Sequence, residues 1–250
     1  SADSHAIDVV ARESAHLDVF WISPQGEIMS AWWQEGGDWS APFSVSGSSS
    51  ARPGVIKAGV RRADTLDVFW VTPMDELAVA QWQAHHRWTG PVTINAPGST
   101  APAGVTAIGR KPNELEAFWV SPQGALSCIF WREHEQWYSP AVLAPQGSVR
   151  RSGGVSACAR PHDVDLFWAG TDGALRHTSR HDTFKWLPPD TLDSGHTVEP
   201  RSICALSRTT DQIDAFFVCQ DGSLRSLWRH AGPWSKSFKI AGAGAGTVAV

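Results

Sequence analysis

Arginine, a carboxylate and tryptophan return together along this chain. A guanidinium fork, a charged acceptor and an indole face are groups that a pyranose can use at once, through its vicinal hydroxyls and its apolar C–H face. The arginines are Arg12, Arg61, Arg110, Arg160 and Arg208, and the carboxylates are Asp18, Asp67, Glu116, Asp165 and Asp214. One tryptophan series is Trp33, Trp82 and Trp131, whose place is taken by Arg180 and Arg229 further on. A second is Trp39, Trp88 and Trp137, continued by Trp186 and Trp234. Trp32 and Trp228 stand one position ahead of the first series. Repetition would make binding multivalent, so that weak single sites, on the order of millimolar to micromolar, gain strength through effective concentration. The same groups have a structural reading, as an ion pair closing each strand end and as large aromatics filling the wedge between sheets.

These residues recur because the chain repeats. Leu17-Asp18-Val19-Phe20-Trp21 returns at Leu66, Leu115, Val164 and Ile213, each step being 49 residues. A period of that length marks an array of one supersecondary unit. The units run over 6–54, 55–104, 105–154, 155–202 and 203–250, and an unchanging composition reads as one domain over 1–250. Within the second unit, Ile56 to Val60, Leu66 to Val71, Glu76 to Trp82 and Trp88 to Ile94 each have strand length and strand composition. That unit would gather Arg61, Asp67, Trp82 and Trp88 at one rim. The turn between the second and third strands is Ser23-Pro24-Gln25-Gly26 in the first unit and ends on Gly or Asp in every unit, residue types that tolerate positive φ. The second strands are apolar on both faces, so each sheet must be sandwiched between others. The expected fold is therefore all-β, a five-bladed β-propeller with four antiparallel strands per blade, closed into a ring. A first strand at Ile7 to Val10 or the tail Thr247 to Val250 would complete the closure.

Composition narrows the partners. With 42% hydrophobic and 18% charged residues, fourteen Trp against one Tyr and a net charge of −4, the chain has ample core and no basic surface. Nucleic acid and anionic membranes are disfavoured, and no apolar run approaches the roughly 20 residues of a membrane span. Cys128, Cys158, Cys204 and Cys219 form no C-x-x-C pair and read as buried free thiols. The opening Ser-Ala-Asp-Ser-His reads as a trimmed or processed start.

The unit with its Ser-Pro-Gln-Gly turn and Trp-Trp pair, and above all Val164 to Leu175 (VDLFWAGTDGAL), resembles the repeat of bacterial propeller lectins of the Photorhabdus type. More distantly it is similar to fungal fucose-specific propeller lectins. The resemblance implies a propeller that binds fucose or related glycans around the ring, with Arg, carboxylate and Trp gripping the sugar and no cofactor. Those relatives have six or seven blades where this chain has five units. Loss of the third-strand Trp in units four and five implies fewer than five equivalent sites.

Two other readings stand beside the lectin. A cofactor-free enzyme would show in broken symmetry, chiefly His177, Arg180, His181 and Leu187 to Ser202 of unit four. First strands offer only Asp8 where a hydrolase needs two carboxylates. His85, His86, His134, His181 and His230 fall in the third-to-fourth-strand loops of four units without metal-ligand spacing, and no catalytic motif is present, so neither catalytic residues nor a metal are assigned. The third reading is an interaction scaffold, which would carry an exposed apolar patch.

Overall fold

Strand-length apolar runs separated by turn residues become twenty strands among the described residues of a computed structural model, which are 7–84, 86–150, 153–182 and 185–242. The first unit forms β1 (Ile7–Glu13), β2 (His16–Ile22), β3 (Ile28–Gln34) and β4 (Phe43–Ser44). The second forms β5 (Ile56–Arg62), β6 (Thr65–Val71), β7 (Leu77–Gln83) and β8 (Thr89–Thr93). The third gives β9 (Val105–Ile108), β10 (Glu114–Val120), β11 (Leu126–Arg132) and β12 (Ala141–Ala144). The fourth gives β13 (Val155–Ala159), β14 (Asp163–Ala169), β15 (Leu175–His181) and β16 (Asp190–Asp193). The fifth gives β17 (Cys204–Thr209), β18 (Gln212–Val218), β19 (Leu224–His230) and β20 (Phe238–Ala241). Each unit is one four-stranded sheet with its strands in chain order.

Hairpin chemistry sets the register. Gly26, Asp75, Gly124, Gly173 and Gly222, the last turn residues of the five units, all have positive φ. Gly26 N–H donates to Ser23 O at 2.9 Å and Ser23 N–H to Glu27 O at 2.9 Å, so the return strand leaves the turn in a fixed phase. A Cβ on Gly26 would meet Ala51 O at 2.6 Å, which adds a close approach to the φ requirement. The fourth strands are shorter than their sequences suggest. Trp39, Trp88, Trp137, Trp186 and Trp234 precede them, in the segments that lead in.

The chain divides into two compact units. Among the described residues one holds 7–117 and 129–140, the other 118–128 and 141–242. In the first, Phe20, Ile22 and Ile28 of the first sheet pack against Leu66, Val68 and Trp70 of the second, and Asp8 Oδ2 accepts the Ala58 N–H at 2.8 Å. In the second, Phe167, Ala169 and Leu175 pack with Ile213, Ala215 and Phe217, and Ser156 Oγ accepts the Ala205 N–H at 3.0 Å. One polar first-strand position thus ties neighbouring first strands together. The first-strand carboxylate of Asp8 is thus engaged with backbone. The expected closing strand Thr247 to Val250 lies outside the described residues.

The sandwiching that both-sided apolarity requires is met in the second sheet, where Leu66, Val68 and Trp70 are buried. Apolar side chains are more exposed on the first and fifth sheets. Ile7 is 64% and Val9 57% exposed on the first, and Leu206 is 42% and Phe238 47% exposed on the fifth.

Removal of a wedge residue tests this packing. Phe69 is wholly buried with its ring edge-to-face with Trp137, so Phe69→Ala should cost about 3–5 kcal/mol. Val9→Ala, at an exposed position, should cost under about 1 kcal/mol, and the shift in urea midpoint compares the two.

Candidate functional site

Arg12, Arg61 and Arg208 reach their carboxylates because the chain bulges there. The pairing of β1 with β2 slips between Ala11 and Glu13, that of β5 with β6 between Val60 and Arg62, and that of β17 with β18 between Ser207 and Thr209. Arg12, Arg61 and Arg208 are the extra residues, and a bulge re-aims its side chain. Arg12 Nε donates to Asp18 Oδ2 at 2.6 Å, Arg61 Nε to Asp67 Oδ2 at 2.6 Å and Arg208 Nε to Asp214 Oδ2 at 2.7 Å. In each pair Nη2 reaches the second oxygen, giving a forked charge-assisted contact. Arg160 stands five residues before Asp165 where the others stand six. It sits in the turn and donates through Nη2 at 2.9 Å. Arg110 pairs with Glu114 at 3.1 Å, and Glu116 is buried.

The tryptophans come from the next unit along the chain. Arg12 lies over the Trp82 ring at 4.5 Å and Arg61 over Trp131 at 4.4 Å. Arg61 and Trp82 therefore belong to different clusters, contrary to the single-unit grouping expected from the sequence. The reason is packing, since one sheet's Asp18 and Phe20 face is covered by the following sheet's Leu66 and Val68 face. The second tryptophan series follows the same rule: Phe20 meets Trp88, Phe69 meets Trp137, Phe118 meets Trp186 and Phe167 meets Trp234, all edge-to-face. These indoles are wedge packing. Trp33 is half-buried, whereas Trp39, at the start of the series, is 51% exposed.

Burial differs only slightly among the first, second and fourth pairs, the Arg12 and Asp18 side chains being 11% and 5% exposed. The Arg61 and Asp67 side chains are 5% and 0% exposed, and Asp67 also accepts from Gln81 Nε2 at 2.7 Å. The Arg160 and Asp165 side chains are 9% and 0% exposed. In the fourth unit Asp165 also accepts from His177 Nε2 at 2.9 Å and from Arg229 Nη2 at 3.2 Å. Burial works to raise the Asp165 carboxyl, but the His177 hydrogen bond and the charges of His177, Arg160 and Arg229 more than offset it and hold it below the usual carboxylate range. Burial likewise pushes the Cys158 thiol up to about 12, so it behaves as a small apolar side chain. Cys158 and Cys219 are buried free thiols as expected, whereas Cys204 is exposed.

The open geometry lies between the first and second sheets, where a cleft of about 360 Å³ is formed. One wall carries Arg12, His16, Asp18, Trp32, Gln34 and Phe43, and the other Leu66, Trp82 and Trp88. Trp32 is 39% exposed, with its ring stacked on His16 at 5.6 Å, and His16 Nε2 contacts Arg12 Nη2. The floor is thus an ion pair, the sides are aromatic, and the rim supplies an imidazole and an amide. Of the expected residues, Arg12, Asp18, Trp82 and Trp88 meet here. His16 was missed because Thr65, Glu114, Asp163 and Gln212 stand at its equivalent positions, Gln34 and Phe43 carried no signal of a site, and Trp32, seen one place ahead of the series, was not assigned to a site. Among the described residues no three His, Cys, Asp or Glu converge as metal ligands.

No family model and no curated protein matches the chain. Solved structures do. The BP39L lectin of Burkholderia pseudomallei is 26% identical with a TM-score of 0.87, over 95% of this chain and 70% of that one. The fucose-recognising lectin of Aleuria aurantia, a six-bladed β-propeller, is 18% identical with a TM-score of 0.69, over 97% of this chain and 80% of that one. The SapL1 lectin, solved with α-methyl fucoside, is 16% identical with a TM-score of 0.69, over 96% of this chain and 84% of that one. The structural neighbours are propeller lectins, and the more distant ones show likeness of fold alone.

The burial contrast is measurable. Asp165→Asn leaves two guanidinium groups without their buried counter-charge and should cost about 3–5 kcal/mol, whereas Asp214→Asn beside the 58%-exposed Arg208 side chain should cost markedly less. Because the Asp165 carboxyl is held low in the folded state, its contribution is present above its unfolded pKa and lost as pH falls through the folded value. Wild type should therefore lose more stability on acidification than Asp165→Asn, as read by urea midpoints from neutral to acid pH.

Proposed function

We propose that this protein is a carbohydrate-binding lectin whose five sheets are consecutive propeller blades in one domain over 1–250, and that the cleft between the first and second sheets is its best-formed sugar site. The observation that carries this is the meeting of Arg12, Asp18 and the half-open Trp32 with Trp82 and Trp88 around about 360 Å³, space for a monosaccharide. Trp32 supplies the apolar platform, while Gln34, His16 and the Arg12 donors not spent on Asp18 face the hydroxyls. The likeness to the Burkholderia lectin supports the reading, and the fucoside-binding neighbours make fucose the first ligand to test.

Glycans are the proposed partners, at fewer sites than there are units. The Arg61–Asp67 and Arg160–Asp165 pairs are buried to nearly the same degree as Arg12–Asp18, and the half-open Trp32 beside the first pair is what favours that cleft. Closure of the blades into a ring of five remains the sequence expectation.

Calorimetry with methyl α-L-fucoside, alongside galactoside and mannoside, tests the site. Wild type should bind one of them, and Trp32→Ala should weaken binding at this cleft about tenfold or more without changing the melting temperature. Absence of binding to any of these and to a broad glycan array would remove the lectin reading.

A further inference from the structure

The fourth sheet carries a pair of histidines that the lectin reading does not use. His162 stands in the turn between β13 and β14, and His181 ends β15. Asp163 faces His181 across the β14–β15 ladder, and Asp182 follows His181 in the chain. Strand register alone brings the two rings together. In the other four units the place of His162 is held by Ala15, Asp64, Asn113 and Asp211, so only the fourth sets two imidazoles at this corner.

The rings are held by crossed contacts. His162 Nδ1 meets Asp182 Oδ2 at 2.6 Å, and His181 Nδ1 meets Asp163 Oδ1 at 3.0 Å. An ionised carboxylate can only accept, so each neutral ring carries its proton on Nδ1 and its lone pair on Nε2. The ring centres lie 6.0 Å apart, with the planes inclined at 39°. Imidazoles that share one ion through metal–nitrogen bonds of about 2.0–2.1 Å have centres roughly 5–6.5 Å apart, so this spacing already suits a common ion. The two side chains are 67% and 64% exposed, which leaves them open to a hydrated cation.

As ion pairs, contacts this exposed contribute little to stability. As supports for metal ligands they do more, because a carboxylate on Nδ1 fixes the ring's orientation and raises the basicity of Nε2. Asp163 and Asp182 also set two negative charges behind the rings, partly offset by Arg160, whose Nη2 lies 3.4 Å from Asp163 Oδ2.

We propose that His162 and His181 together bind one divalent transition-metal ion of the Zn²⁺, Ni²⁺ and Cu²⁺ class through Nε2, with Asp182 and Asp163 orienting the rings and water filling the remaining positions. Imidazole nitrogen suits these ions, whereas Mg²⁺ and Ca²⁺ take oxygen ligands. With two protein ligands the site is open, in keeping with the lack of any three-ligand cluster among the described residues. It lies within the fourth sheet and is independent of the sugar cleft.

Calorimetric titration of the untagged protein with Zn²⁺ at about pH 7.5, with Mg²⁺ as the control, tests this. Wild type should take up one Zn²⁺ more than the double variant His162→Ala with His181→Ala, and Mg²⁺ should give no such difference. Because one ion needs both rings, each single alanine variant should weaken this uptake by at least about tenfold, and Asp182→Asn, which keeps both rings, by about tenfold. Without metal the variants should melt as wild type does, since these side chains lie at the surface. Should an alanine variant melt lower, His162→Gln and His181→Gln repeat the comparison. Zn²⁺ uptake that the double variant retains in full, or that only one of the two single variants weakens, overturns the shared site. Asp182→Asn binding Zn²⁺ as tightly as wild type overturns the orienting role of that carboxylate.

Discussion

A carboxylate buried at the start of every second strand is the constraint from which the site follows. Asp67 and Asp165 have no exposed surface, and an ionised carboxylate in an apolar wedge is tolerable only beside a hydrogen-bonded cation. The first strand supplies that cation from a bulge in the first, second and fifth sheets and from the turn in the fourth. Once the guanidinium is fixed edge-on to the carboxylate, its flat face is free for an indole of the following sheet, as with Arg12 on Trp82 and Arg61 on Trp131. Ion pair and aromatic wedge are thus one device for locking sheet to sheet. Binding chemistry emerges where the device is left partly open.

That view explains why like residues do unlike work. The Arg61 pair is closed over by Trp131 and by Gln81 from its own sheet. In the fourth unit His177 and Arg229 fill the space around Asp165, and His177 lies between Phe167 and Trp234. In the first unit a tryptophan stands opposite Asp18 in place of the glutamine opposite Asp67. Trp32 is too large to tuck beneath the pair, so it lies half in solvent and leaves the cleft beside it. One substitution in a repeat separates a strut from a candidate site.

Much of this was legible in the sequence. The 49-residue period, the four strands of each unit and the turn residues needing positive φ rest on local chemistry, and the turns at Gly26 and Asp75 have the φ that their residue types announced. The pairing of Arg with carboxylate was legible too, although not the bulge that makes it, whose trace is the six-residue spacing from Arg12 to Asp18 against five from Arg160 to Asp165. The grouping of tryptophans was not legible. A perfect repeat places Trp82 equally well with Arg61 or with Arg12, and only inter-sheet packing decides. His16 escaped because a search for what recurs passes over what departs from recurrence, and Trp32, although seen beside the series, could be joined to Arg12 and Asp18 only by the strand register.

The most direct test of the account is a crystal of the protein grown with methyl α-L-fucoside. The expected result is a pyranose seated between Trp32 and the Trp82–Trp88 wall, hydrogen-bonded by groups among Arg12, His16 and Gln34, with the Arg61 and Arg160 pairs untouched. A sugar bound instead in a cavity that uses none of these side chains would contradict it.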